Sequence, residues 1–297
     1  QGRARIEGAR FSLSWRIDTL AAWEALLNRL GGPADPEFVD WLSVERNDTR
    51  EFDIGLHRRF LDPMKPFARV VLEPAHGVML TSATLTALGR FDRLRSRAGL
   101  PEASRYCVVP SSFRYGDMAT VEVPSMRAMP TDDAFTDALV ERLPDLWAGE
   151  PATLVLFTSR RQMHRVRDAL APEHPDLILT QDDMAKGEVL RQHCARVDEG
   201  RPSVLFGVAS FAEGIDLPGK YLKHVVITRL PFSVPDDPVG ATLAEWIESQ
   251  GGNPFMRISV PDASIKLVQA CGRLIRKEND SGRISLLRHT FALRCQS

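Results

Sequence analysis

The stretch TLVLFTSRRQMHRVRDAL, residues 153–170, decides the fold. It begins with a short apolar run, which is typical of a strand buried on both faces. Met163, Val166 and Leu170 then recur at helical spacing and predict an amphipathic helix. A buried strand followed by such a helix is the first part of a βαβ unit, so this stretch indicates a parallel sheet covered by helices.

The same alternation continues towards the C-terminus. Further buried strands are predicted at residues 177–181, 203–207, 224–230 and 283–287. Helices are predicted around residues 189–197, 239–247 and 263–276, and prolines at 231, 235 and 238 mark a loop. The sequence therefore predicts an α/β fold with a mostly parallel sheet.

Towards the N-terminus the pattern is mixed. A helix is predicted to end at Gly31-Gly32, and a hairpin is predicted between residues 41 and 60 around Asn47-Asp48. A short helix is expected at 66–72. We therefore expect a small mixed accessory region ahead of the sheet.

The stretch that joins the two parts is harder to interpret. VMLTS, residues 78–82, is predicted to be a buried strand. Residues 86–149 carry no pattern that assigns them to helices or strands.

Composition sets limits on function. The chain has 297 residues, of which 43% are hydrophobic and 26% charged, enough for two globular domains. Its formal net charge of -1 gives no overall attraction to polyanions, so any nucleic-acid surface must come from local basic clusters. Cys107, Cys194, Cys271 and Cys295 show no metal-ligand spacing and are expected to be reduced thiols.

Two expectations concern the chain as a whole. It begins with Gln1 rather than Met, without the pattern of a signal peptide, and we expect an internal piece of a longer protein. No apolar run approaches the roughly 20 residues that span a bilayer. A soluble, cytoplasmic protein that makes no membrane contact is expected.

Two polar segments directly follow predicted strands, where the carboxyl ends of an open α/β sheet gather chemistry. Thr81-Ser82-Ala83-Thr84-Leu85 places small hydroxyl residues that can bond neighbouring loops, although such a segment alone can equally be a simple turn. Phe157-Thr158-Ser159-Arg160 places Ser159 where it can cap the next helix, an arrangement that suits a nucleic-acid phosphate. An N-cap without a ligand explains this second segment equally well.

Two further segments are more specific. SFAEGIDLPG, residues 210–219, ends a strand and places the carboxylates of Glu213 and Asp216 around a glycine turn. In QACGRLIR, residues 269–276, a helix would put Gln269, Arg273 and Arg276 on one face. Two guanidiniums on one face can stabilise a transferring phosphoryl group, and surface salt bridges are the alternative. Val268, Gly272 and Ile275 would form an apolar stripe beside them.

In this order, the four segments resemble motifs III, IV, V and VI of superfamily 2 helicases, specifically the DinG-type, XPD-like branch. The resemblance runs from about residue 40 to about residue 285. It implies a RecA-like, P-loop NTPase-type parallel sheet, the second helicase motor domain, preceded by the small mixed region. The implied domains are residues 1–75, the end of an accessory or arch region; 76–130, the remainder of the first motor domain; and 131–297, the C-terminal RecA-like domain.

The resemblance also implies an activity: a monomeric, ATP- and Mg²⁺-dependent DNA helicase that moves 5′ to 3′ on single-stranded DNA in repair or replication. Its partners would be single-stranded DNA and the first motor domain of the same protein. Residues implied to reach the ATP phosphates are Gln269, Arg273 and Arg276. Residues implied in the ATP cleft and in coupling are Gly214, Asp216, Glu213, Thr81, Ser82, Ala83 and Thr84. Residues implied to contact DNA are Thr158, Ser159, Arg160, Ser210 and Phe211.

The sequence also departs from the family pattern. It contains no GxxxxGK[ST] loop and no DEAH-type acidic strand end, so the groups that hold phosphate and magnesium are expected outside the chain. The chain alone is therefore expected to be inactive, and an iron-sulfur cluster in the parent protein stays open. Residues 288–297 do not resemble the usual end of the domain. A binding module for single-stranded DNA or a protein, without catalysis, is the alternative function.

Overall fold

A computed structural model of the chain describes residues 2–47, 50–126, 134–232 and 237–289. Several positions singled out in the sequence lie outside these ranges. They are Asp48 of the predicted hairpin turn, Pro235, Cys295, the tail from 290 onward and the predicted domain boundary between 130 and 131.

The helices and strands follow one another in two sets. Before the sheet-forming part come α1 (Gly2–Leu30), β1 (Phe38–Asn47), β2 (Arg50–Phe60), α2 (Met64–Phe67), a π-helical turn (Ala68–Leu72) and α3 (Asp92–Ala98). Next come α4 (Tyr115–Met118), β3 (Ala119–Glu122), β4 (Ser125–Met126), α5 (Ala134–Trp147), β5 (Ala152–Phe157), α6 (Arg160–Leu170), β6 (Ile178–Thr180) and α7 (Lys186–Asp198). The last are β7 (Ser203–Val208), α8 (Ala209–Ala212), β8 (His224–Ile227), α9 (Pro238–Ser249), α10 (Val260–Cys271), β9 (Gly282–Leu286) and β10 (Arg288–His289).

A six-stranded, all-parallel sheet forms the centre of the larger compact unit, with the strand order β3-β9-β8-β5-β7-β6. The two central strands, β5 and β8, are completely buried because helices cover both faces. One face packs around Phe135, Phe157 and Phe206, and the other around Leu154 and Leu205. The α/β fold predicted from the sequence is confirmed.

The smaller compact unit comprises residues 1–81, 92–104 and 234–257, and the larger one comprises residues 82–91, 105–233 and 258–297. In the smaller unit β1 and β2 pair antiparallel, which confirms the predicted hairpin, and α1 ends at Leu30 as the glycine pair predicts. The predicted domain bounds stay predictions.

Two predictions about local structure are wrong. Residues 78–82 form no strand: Val78 is 49% and Met79 86% exposed, and no described segment supplies a hydrogen-bonded neighbour. The helix expected over 263–276 stops at Cys271, and the chain continues as a tight turn that buries Leu274 and Ile275 in the core. The apolar stripe is therefore split, because Val268 is 55% exposed while Ile275 is buried.

Candidate functional site

The ends of β5 and β7 bring two of the predicted segments together. These strands are paired neighbours, and Phe157 lies opposite Val208 at their last register position. Thr158 and Ser159 therefore leave the sheet beside Ala209 and Ser210, at one edge. All of residues 158–160 and Ser210 are exposed there. This edge is available to a ligand, and its position is set by two buried strands.

The N-terminus of α6 is capped as the sequence predicts. The Ser159 hydroxyl accepts a hydrogen bond from the N–H of Gln162 at 3.4 Å, and Ser159 has the extended backbone of an N-cap residue. Arg160 and His164 both face one carboxylate, Asp182, at 3.8 Å and 2.9 Å. The charge on this part of the edge is therefore partly balanced within the protein.

Gly207 and Phe211 form a close contact at the end of β7. A Cβ atom on Gly207 would lie 2.4 Å from Cδ1 of Phe211, so the ring needs a glycine there. Phe211 is only 6% exposed and belongs to the core. Its contribution in this conformation is packing, while the DNA contact predicted for it stays a prediction.

The loop after α8 is shaped by Gly214 and by a lysine from another helix. Gly214 adopts φ +72°, a left-handed conformation that favours glycine. Lys186, at the start of α7, donates hydrogen bonds to the carbonyl oxygens of Phe211 at 2.8 Å and Glu213 at 2.5 Å. The side chains of Glu213 and Asp216 remain exposed. The lysine thus fixes the backbone and leaves the carboxylates free to face solvent.

Both candidate finger arginines converge on this loop. Arg273 Nη1 donates to the carbonyl of Ile215 at 3.3 Å, and Arg276 Nη2 donates to the same oxygen at 2.9 Å. Arg276 Nε also lies 3.6 Å from the Asp216 carboxylate, which is 76% exposed. Burial, and then the positive charge of Arg276, lower the pKa of the Arg273 guanidinium. Two adjacent cations share one carbonyl acceptor here, a donor set that suits an anion.

The turn that carries these arginines is anchored by Asp280, which the sequence reasoning missed. Asp280 is 4% exposed and accepts the backbone N–H groups of Arg276 at 2.7 Å, Lys277 at 2.8 Å and Gly219 at 2.9 Å. A carboxylate that satisfies three backbone donors fixes the turn to the end of the preceding loop. The sequence signal was Asn279-Asp280, a pair typical of turns.

Gln269 and Thr84 form a second link. Gln269 Nε2 donates to the Thr84 hydroxyl at 3.3 Å, and the Thr84 N–H donates to the Ser82 hydroxyl at 3.2 Å. Two separate predicted segments thus meet through a side-chain contact. Thr81 belongs to the smaller compact unit, and Ala83 lies exposed between the two hydroxyl residues.

The expectation that all four segments follow the carboxyl ends of strands is wrong for two of them. Residues 81–84 follow no strand, and residues 272–276 lie in the connection from α10 to the start of β9. Arg273 and Arg276 instead reach the loop at Ile215 because Leu274 and Ile275 insert into the core beneath it. The site therefore has two parts, a sheet edge and an arginine-bearing turn.

The residues present fit one of the two groups expected in an ATP site. Two guanidiniums beside an exposed loop match the oxyanions of a triphosphate. Among the described residues there is no group of three or more His, Cys, Asp or Glu side chains that could hold a metal ion. These residues therefore fit nucleotide phosphates but do not form a magnesium site.

Comparisons with known proteins agree with this geometry. Residues 147–294 match the family model described as helicase C-terminal domain. The ATP-dependent DNA helicase DinG of Photobacterium profundum is 42% identical over 249 residues, covering 82% of this chain and 36% of the relative. The DinG helicase of Escherichia coli is 36% identical over 219 residues, covering 70% of this chain and 30% of the relative. The chain thus spans about a third of the length of these relatives.

A solved structure supports the fold. The protein titled XPD helicase superposes with a TM-score of 0.58 at 19% identity, covering 78% of this chain and 42% of that one. In the described part of the chain, no helix is both long and apolar enough to cross a bilayer.

Proposed function

Because the chain belongs to the family of DinG-type, XPD-like helicases and carries their C-terminal helicase domain, we propose that it is the second motor domain of an ATP-dependent DNA helicase. The parent protein would move 5′ to 3′ on single-stranded DNA in repair or replication, as a monomer in the cytoplasm. The first motor domain of the same protein would be its partner.

The convergence of Arg273 and Arg276 on the Ile215 carbonyl carries this proposal. Phosphoryl transfer spreads negative charge over equatorial oxygens, and cationic groups held in place stabilise that charge. The buried neighbours Leu274 and Ile275 and the Asp280 anchor fix the backbone between the two arginines. The guanidiniums can therefore exchange a shared carbonyl for phosphate oxygens while the backbone stays in place.

ATP and Mg²⁺ complete the proposed site. Mg²⁺, when bound, neutralises the phosphate charge that builds up during transfer. In this chain Arg273 and Arg276 would orient and neutralise the γ-phosphate. Gln269, bonded to Thr84, would carry the state of the nucleotide to the segment around Ser82 and Ala83. Glu213, Gly214 and Asp216 lie between the turn and the sheet edge.

Single-stranded DNA is proposed to lie along the carboxyl edge of β5 and β7. The exposed hydroxyls of Thr158, Ser159 and Ser210 can donate to phosphate oxygens, and Arg160 supplies a cation at the start of α6. Gln181 links the neighbouring strand ends, since its side-chain oxygen accepts the N–H of Val208 at 2.9 Å. A nucleotide-dependent movement of the loop after β7 would thereby reach the DNA edge.

ATP hydrolysis tests the proposal directly. The chain and the full-length protein that contains it are assayed with and without single-stranded DNA, together with Arg276→Ala in the full-length protein. We expect DNA-stimulated turnover only from the full-length protein, and a fall of about 10³-fold or more in the variant. Arg201→Ala is the matched control, because Arg201 is exposed and pairs only locally with Glu199. Turnover by the chain alone, or an unaffected Arg276→Ala variant, would contradict the proposal.

The second candidate is a binding module for single-stranded DNA that has no catalysis of its own. The observation in its favour is the basic N-terminal half of α6, where Arg160, Arg161, His164 and Arg165 are close in sequence. Their attraction for phosphate is reduced by Asp182, which faces two of them. Binding that weakens steeply as salt rises, combined with an unaffected Arg276→Ala variant, would favour this candidate.

A further inference from the structure

Arg229 lies at the carboxyl end of β8, on the same edge as the proposed DNA site. The preceding residue, Thr228, is fully buried and donates both its N–H, at 3.1 Å, and its hydroxyl, at 2.9 Å, to the carbonyl of Leu156. Strands β5 and β8 are paired neighbours in register up to Leu156 and Ile227. Arg229 therefore leaves the sheet beside Thr158, with its backbone fixed.

The side chain of Arg229 is held over an aromatic ring. Its guanidinium carbon lies 4.9 Å from the ring centroid of Phe135, itself only 1% exposed in the core. A cation over the face of a ring is attracted by the ring's quadrupole. The contact holds one face of the guanidinium and sets the direction of its outer nitrogens.

The charge of Arg229 has no counter-ion among the described residues. Its Nε atom is buried and makes no hydrogen bond, and no carboxylate within the described ranges forms an ion pair with it. Burial lowers the pKa of this guanidinium. A partly buried cation without a carboxylate is costly, and the aromatic contact offsets only part of the cost. The other arginine at this edge differs, because Arg160 faces Asp182.

We propose that Arg229 is a phosphate-binding residue for the backbone of single-stranded DNA, acting beside Thr158 and Ser159. The inference rests on the proposed DNA-binding function and extends it from β5 and β7 to the third strand of the edge. A phosphodiester oxyanion would supply the counter-charge that the described residues lack, and the planar guanidinium can bond it with two nitrogens. A nucleotide phosphate shares this chemistry, so the test separates the two sources.

The test uses the 297-residue chain and fluorescence anisotropy of a labelled oligo-dT, measured over a range of salt concentrations. In Arg229→Ala we expect affinity to fall roughly tenfold at low salt, and the slope of log K against log salt to become less negative by about 0.7, the value for one lost phosphate contact on a single strand. Arg229→Lys should keep most of the slope, because it keeps the charge. Arg201→Ala is the matched arginine control at an exposed local ion pair.

Two comparisons make the result decisive. Phe135→Leu keeps the charge and removes the ring, so it should weaken binding without the loss in slope; thermal unfolding shows which variants fold. An Arg229→Ala protein that folds and keeps the wild-type slope would overturn the inference. A variant that loses affinity for tripolyphosphate but not for oligo-dT would also overturn it, by identifying a nucleotide site. If the wild-type chain itself shows no salt-dependent binding, the proposed DNA function fails instead.

Discussion

Two segments of this chain share nearly the same sequence pattern and differ completely in structure. TLVLFTS, residues 153–159, contains the buried central strand β5, whereas VMLTSAT, residues 78–84, has no strand. Leu154 and Val155 are fully buried, while Met79 is 86% and Leu80 38% exposed. In both, an apolar run leads into small hydroxyl residues. The difference lies in the neighbours, because β5 pairs with β7 on one side and β8 on the other.

The comparison teaches that a buried parallel strand is a property of the whole sheet. A short apolar run gains little by adopting an extended conformation alone, since its N–H and C=O groups need partners. In β5 both sets of partners are present and helices cover both faces. No described segment pairs with residues 78–82. The four predictions below test how far this difference extends, from the largest expected effect to the smallest.

The first prediction makes the same substitution in each segment. Leu154→Ala should lower the free energy of unfolding by about 2–5 kcal/mol, because it leaves a cavity in a packed core. Leu80→Ala should change it by less than about 1 kcal/mol, because the side chain is already 38% exposed. Urea unfolding measures both values, and hydrogen exchange at the β5 amides assigns the loss to the sheet. Equal effects would mean that the exposed segment is packed in solution.

The second prediction concerns acid. Burial lowers the pKa of His224 to about 4, and the ring bonds the Ser285 hydroxyl at 2.7 Å. In the unfolded chain this group takes up a proton near pH 6.5, so between about pH 6.5 and 4 the unfolded state binds more protons. The stability of the larger unit should therefore fall as the pH drops through this window, by roughly 3 kcal/mol at most. Buried His193, whose pKa burial also lowers, acts in the same direction.

Unfolding followed by urea at several pH values measures this loss. His224→Gln, which keeps a hydrogen-bond donor but does not titrate, should reduce it. His76→Gln, at an exposed position beside the second segment, is the matched control. The prediction is contradicted if both variants change the acid sensitivity equally.

The third prediction exchanges a glycine for alanine near each segment. Gly207→Ala should destabilise the sheet by about 1–3 kcal/mol, because the new methyl group would meet the Phe211 ring at 2.4 Å. Gly77→Ala has open space around it and should be neutral or slightly stabilising. Thermal unfolding of the two proteins provides the measurement. A stable Gly207→Ala variant would show that the Phe211 side chain can move out of the core.

Sequence patterns predicted the elements whose partners are also strongly patterned. The alternating strands and helices from Pro151 onward correctly indicated the parallel sheet, and Gly31-Gly32 correctly marked the end of α1. Position along an edge was less predictable, because strand order depends on which strands pair. The extent of the last helix was wrong because burial of Leu274 and Ile275 and the Asp280 carboxylate favour a turn over helical spacing.

The side chains that hold the candidate site together were mostly invisible in the sequence. Lys186 bonds carbonyls 25 and 27 residues away, and Asp280 bonds Gly219 across 61 residues. Such contacts arise from tertiary placement and leave no periodic trace. Arg229 is similar, because its neighbour Phe135 lies in a stretch to which no element could be assigned.

The fourth prediction compares the threonines that follow the two apolar runs. Thr158 and Thr81 are both exposed, and valine replaces either one while keeping its shape. If DNA lies along the edge of β5, Thr158→Val removes a hydrogen bond to phosphate and should weaken oligo-dT binding about two- to fivefold, or roughly 0.5–1 kcal/mol. Thr81→Val should leave this affinity unchanged within about 1.5-fold, because its proposed role is coupling. Anisotropy at one fixed salt concentration separates these outcomes. A larger effect at Thr81 than at Thr158 would place the DNA on the segment without a strand and reverse the comparison.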